Sequence, residues 1–203
     1  MPAAPPQQNW LQEWAARTPV VCRYLIFSIL GATSVSWIIS MSTGGGNYFG
    51  MIPVLVVLQG EVWRILTSIF AQDGILTLLI VLVMLATQLP PMEVRRGSLP
   101  FLVHTLSSAL LINAATALLG TLLFFIPWSP MRNFGVIPSL GMWPVLLMLI
   151  AEDKLLDPES ESPFLCFRVS NKLYAWVLAL VFSAFSLFPL LDLFVGVALG
   201  HAR

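Results

Sequence analysis

The stretch GEVWRILTSIF (residues 60–70) sets an acid, a tryptophan and an arginine just ahead of an apolar run that opens near Gly74. An arginine beside a membrane is costly unless its donors are met, so Arg64 needs acceptors at hand, in Glu61 or in backbone carbonyls. Such a group is built to fix a loop, here the one carrying MIPVLVVLQ (residues 51–59). Whether that loop lies at a bilayer is decided by the rest of the chain.

Composition decides it. Hydrophobic residues make up 58% of the 203 residues, charged residues 10%, and the mean hydropathy is +0.87. A soluble surface needs about 25% charged residues, so the chain is a membrane protein whose first partner is the lipid bilayer. Its formal net charge of zero gives no reason to expect nucleic acid. Cys22 and Cys166 are too few and too far apart for a disulfide framework. Two histidines and two cysteines on scattered elements do not supply clustered metal ligands, and no cofactor is expected.

The N-terminal MPAAPPQQ cannot stay helical and reads as an extended tail. Asn9 then caps a short helix, NWLQEWAAR, with Trp10, Leu11 and Trp14 on one face. That face either lies in the membrane interface, with Trp10 and Trp14 as anchors, or packs on a partner subunit. The segment lacks the layout of a secretory signal or a transit peptide, so it is expected to be retained. Residues 1–18 thus precede a transmembrane domain, 19–203.

Apolar runs predict spans at about 19–41, 74–89, 99–125 and 134–151. STGGGNYFG (residues 42–50) lets the chain turn, and MIPVLVVLQ is too short to cross. The acidic EDKLLDPESESP (residues 152–163) belongs in water, and two short apolar segments follow, divided near Pro189. They read as a tight helical hairpin or as spans in a locally thinned bilayer. The fold class is an all-α polytopic bundle of about six transmembrane helices. With both termini on the cytoplasmic or matrix side, the inner segments hold Arg17, Arg23, Arg95, Arg96, Lys154, Arg168, Lys172 and Arg203, leaving Arg64 and Arg132 outside. That distribution obeys the positive-inside rule. The arginine pair in PPMEVRRGS (residues 90–98) marks the inner face, or touches anionic lipid.

The order of these pieces resembles the rhomboid superfamily. Trp63 and Arg64 stand where its members carry a Trp-Arg pair before the second helix, and Glu93 and Gly97 match the Glu-x-x-x-Gly pattern after it. Gly196 and Gly200 match the paired small residues of the sixth helix, whose four-residue spacing lets another helix approach closely. The segments RRGS and VSNK are most similar to the non-proteolytic branch that includes derlins and the ubiquitin-associated-domain rhomboid-like proteins.

The resemblance implies where a protease would keep its dyad. Active rhomboids carry a serine in Gly-x-Ser-Gly at the start of the fourth helix and a histidine three residues before the first glycine of the sixth-helix pair. That histidine position is Leu193 here, and NFGVIPSLGMWP (residues 133–144) holds no Gly-x-Ser-Gly. Ser139 follows Pro138, and neither His104 nor His201 falls where a base belongs. A pseudoprotease is therefore expected, with no catalytic residues. Asp192 reads as an interfacial helix cap or as a functional intramembrane acid, and His104 as a buried histidine bonded to a hydroxyl or carbonyl. Two functions fit: scaffold or accessory subunit of a membrane complex, such as one of the mitochondrial inner membrane, and derlin-like adaptor for membrane-protein clients in the endoplasmic reticulum. The first ranks ahead because the given sequence ends at Arg203, right after the last span.

Overall fold

The computed structural model describes residues 18–43, 48–164, 167–185 and 191–202. The expected interfacial helix with Trp10 and Trp14, and Cys166, lie outside the described residues. The chain opens with α1 (Val20–Ser42), followed by the short α2 (Pro53–Leu58) and α3 (Trp63–Thr67) of the first loop. Next come α4 (Ile75–Thr87), α5 (Leu89–Arg96) and the long α6 (Ser98–Phe124). Then follow α7 (Ser129–Val136), α8 (Trp143–Lys154), strands β1 (Glu161–Phe164) and β2 (Phe167–Ser170), α9 (Asn171–Phe185) and α10 (Leu191–Ala202).

Proline sets several of the starts. A proline stands in the first turn of α2, α5, α7 and α8, where its missing N–H would have had no helical partner anyway. Gly97, at φ +84°, takes a backbone conformation that a side chain would strain and turns α5 into α6.

Two helices, α1 and α6, are long and apolar enough to cross a membrane singly, and α4 with α5, bent by 40° at their break, can form a third such span. The other apolar helices, α8 to α10, are shorter. Of the roughly six expected spans, the last two of them short, the described residues show up to three helices of full spanning length. The predicted fourth span, 134–151, divides: α7 stops at Val136, and Ser139 pairs with Met51 in an isolated antiparallel bridge before α8 begins at Trp143. Pro138 and Gly141, the latter at φ +102°, break the apolar run that the sequence presents as one. The all-α expectation also needs correction. After the acidic residues, Glu161–Phe164 and Phe167–Ser170 pair as an antiparallel hairpin, held by Asn171, which donates to the Asp157 carbonyl and the Ser160 hydroxyl, each 2.7 Å away.

The core sits around α8. Eight consecutive residues from Pro144 to Ala151 are buried, so this helix is apolar on every side and surrounded by α6, α9 and α10. Trp143 rests on Phe182 of α9, ring centroids 4.3 Å apart. By contrast α4 buries only Val81 and Leu85 and exposes Ile75, Leu76, Leu79 and Val83, as a helix facing lipid does.

Candidate functional site

The loop between α1 and α4 is fixed by one side chain. Arg64, buried on α3, pairs through Nε with Glu61 and donates from Nη1 to the Gly50 carbonyl at 2.9 Å. Trp63 beside it is exposed, a position suited to the membrane interface. Asn113, in the middle of α6, donates to the Ile65 carbonyl at 2.6 Å and to the Ser68 hydroxyl at 3.0 Å, binding α3 to the longest span. Sequence reasoning passed over Asn113, although an amide inside an apolar run of this length is itself a signal that it must be met by a partner.

At the opposite end of the bundle from the Arg64 loop, Glu93 on α5 caps another helix. Its Oε1 accepts the Val21 N–H at 2.9 Å and its Oε2 the Cys22 N–H at 2.8 Å, both in the first turn of α1. The Ser98 hydroxyl donates to the same carboxylate at 2.7 Å. First-turn N–H groups have no helical acceptor, and a carboxylate suits the positive end of the helix dipole, so Glu93 closes α1 from a distant part of the chain. Arg96 turns to Glu152 at 3.0 Å, and Arg95 pairs with Asp153.

His104 Nε2 is 2.7 Å from Glu152 Oε2, so a carboxylate is among its partners. His201 Nδ1 is 3.1 Å from the Val197 carbonyl and its Nε2 is 3.0 Å from the Lys172 carbonyl. Among the described residues no three histidine, cysteine, aspartate or glutamate side chains gather as metal ligands.

Ser139 and Asp192 do come together. The Ser139 hydroxyl donates to Asp192 Oδ2 at 2.6 Å, and Asp192 Oδ1 accepts the Leu193 N–H at 2.9 Å. Asp192 is buried within the protein; it accepts a first-turn N–H of its own helix and binds the pre-α8 loop with one carboxylate. Ser139 N–H and C=O are themselves paired with Met51, at 2.8 and 2.9 Å. Gln72, fully buried, lies beside this loop, its amide oxygen 2.5 Å from where a side chain on Gly141 would begin, with neither amide atom bonded within the protein. The pair joins two segments 53 residues apart, which is why neither residue announces the other in the sequence.

Gly196 and Gly200 face α8. A Cβ on Gly196 would collide with the Pro144 carbonyl, 3.0 Å from its carbon, and one on Gly200 would come within 2.8 Å of Ala151 Cβ and 2.9 Å of the Met148 carbonyl. The small-residue stripe is spent inside the bundle, seating α10 against the central helix.

Residues 59–199 match the family model described as the Rhomboid domain. A curated Arabidopsis thaliana protein described as "Rhomboid-like protein 15" is 25% identical over 162 residues, which is 78% of this chain and 40% of that protein. The chain thus spans less than half the length of that relative. With the arginine-fixed first loop, the central α8 and the glycine-seated α10 on the page, the match over most of the sequence has a structural counterpart, and the chain belongs to the rhomboid family of integral membrane proteins.

Proposed function

We propose that this is a non-catalytic member of the rhomboid family, a pseudoprotease that acts through its helix surfaces as a scaffold or accessory subunit of a larger membrane complex. The observation that carries the reading is the Ser139–Asp192 pair. The serine's hydroxyl is bound to a buried carboxylate, and the next residue on α10 is the apolar Leu193. A serine becomes a nucleophile when a base takes its proton near neutral pH, and imidazole is the side chain suited to that. Both imidazoles of this chain have other partners, His104 at Glu152 and His201 at backbone carbonyls. The hydrogen bond then serves to hold the pre-α8 loop on α10.

The outer faces of α1, α4 and α6 supply surface for neighbours. Tyr24, Phe27 and Ile38, then Leu79 and Val83, then Val103, Leu110 and Leu118 are exposed and apolar, able to meet lipid or the spans of other subunits. Incubation with transmembrane substrates and a serine-directed fluorophosphonate should give neither cleavage nor labelling, and labelling of Ser139 would overturn the proposal. Purification of tagged protein in mild detergent should bring down stoichiometric transmembrane companions, of the mitochondrial inner membrane if it is an accessory subunit there.

A second reading, the derlin-like adaptor of the endoplasmic reticulum, is favoured by the short helices. At 12, 15 and 12 residues, α8, α9 and α10 are roughly 18–23 Å long at 1.5 Å per residue. A hydrocarbon core of about 30 Å must thin around the outer faces of α9 and α10, which lowers the cost of moving polar client segments. Companions made up of varied clients together with ubiquitin machinery, in place of one fixed set of subunits, would select this reading.

A further inference from the structure

The longest helix, α6, has 27 residues and so reaches roughly 40 Å, past a hydrocarbon core of about 30 Å. Its ends therefore stand at headgroup level. At the outer end Phe124 and Pro127, with Arg132, Asn133 and Val136 of α7, enclose an open hollow of about 410 Å³. Exposed Phe125, Ile126 and Trp128 follow Phe124 in the chain, a composition typical of the interface between lipid and water.

Arg132 is held differently from the arginines described above. Arg64, Arg95 and Arg96 each meet a carboxylate. Arg132 instead lies over the Phe124 ring, 5.2 Å from its centroid, with no acid partner among the described residues. A cation–π contact of this kind engages no hydrogen-bond acceptor and leaves guanidinium N–H donors for an anion. Asn133 adds an amide at the same rim, and Phe124, Pro127 and Val136 make the walls apolar. An uncompensated positive charge, a neighbouring amide donor and apolar walls at headgroup depth match one kind of ligand in both charge and position. We propose that this hollow binds the phosphate of a phospholipid headgroup from the outer leaflet, with Arg132 as the main anion contact and the apolar walls meeting the start of the acyl region. Arg95 and Arg96 offer no equivalent, because Asp153 and Glu152 already occupy them.

The test is lipid binding to the full-length protein, purified and delipidated in a neutral detergent and titrated with dioleoyl-phosphatidylglycerol, with bound lipid counted by native mass spectrometry. One molecule should bind preferentially to the wild type. Arg132→Gln should weaken it about 10-fold or more, the loss expected for a hydrogen-bonded charge. Asn133→Ala should weaken it severalfold, and Arg95→Gln should leave it unchanged. Unaltered melting temperatures for Arg132→Gln and Asn133→Ala show that binding rather than folding is read. Dioleoylglycerol, which lacks the phosphate, should bind at least about 10-fold more weakly. Equal phosphatidylglycerol binding by wild type and Arg132→Gln would overturn the site. Saturation by free glycerol phosphate at the concentrations that suffice for the lipid would overturn the lipid as its occupant.

Discussion

Glu93 closes the first turn of a helix to which it is not joined, and it is bonded by two backbone N–H groups and a serine hydroxyl at once. Replacing it by alanine leaves those donors without an acceptor, at a cost of about 1–3 kcal/mol. Glu93→Ala should lower the melting temperature in detergent, and Glu93→Gln should do so by less, since glutamine keeps one acceptor and loses the charge that favours the helix end. Arg64→Ala should cost a similar amount, about 1–3 kcal/mol, and Arg64→Lys should recover little, because one ammonium cannot reach Glu61 and the Gly50 carbonyl as a planar fork does. Wild-type melting of Arg64→Ala would remove its assignment as the loop's anchor. The sequence marks both residues as unusual but identifies only one partner set. Glu61 is three positions from Arg64 and open to inspection, whereas the donors to Glu93 are backbone N–H groups 71 and 72 residues away, which no side-chain pattern records.

Helix α8 explains why hydropathy alone misplaced the fourth span. Apolar residues run on from Phe134 almost without interruption, and a count of hydrophobicity joins α7 to α8. The backbone between them is instead committed to the Met51 bridge, and Pro138 forbids the helical hydrogen bond that would be needed to continue. That proline was visible in the sequence; Met51, which bridges the neighbouring Ser139 from nearly ninety residues earlier, was not. The β-hairpin was hidden for a different reason, since its strands are only four residues each and sit in an acidic stretch that reads as solvated loop. The glycines of α10 were legible as a contact surface, while their partner was left open between a helix of the bundle and another subunit. With α8 as that partner, Gly200→Leu should destabilise the isolated protein by about 1–3 kcal/mol or prevent its folding, through overpacking against Met148 and Ala151. Ala198→Leu, on the exposed side of the same helix, should leave the melting temperature within about 0.5 kcal/mol of wild type. Equal stability for Gly200→Leu and wild type would show that α10 can move away from α8 at no cost.

Across the whole molecule, long helices and short ones share one bilayer. The 27 residues of α6 overreach a typical hydrocarbon core, while the 12 of α8 and of α10 fall short of it. The protein should therefore melt at a higher temperature in nanodiscs of 14-carbon lipids than in those of 22-carbon lipids, because thick bilayers must deform more around α9 and α10. No dependence on chain length would mean that these helices are shielded from lipid. The class of the molecule, its apolar runs and its inner arginines were all written in composition and local order. What escaped were the pairings across long stretches of chain: Ser139 with Asp192, Asn113 with Ile65, and Glu93 with α1. The last has a consequence for biosynthesis. A ribosome delivers α1 to the membrane before α5, so the carboxylate that seals its leading turn is made some seventy residues later and is braced by Ser98 only after that. Helix α1 must wait, inserted but unfinished, until the chain has turned back at Gly97, and it enters the bilayer well ahead of the group that locks it in place.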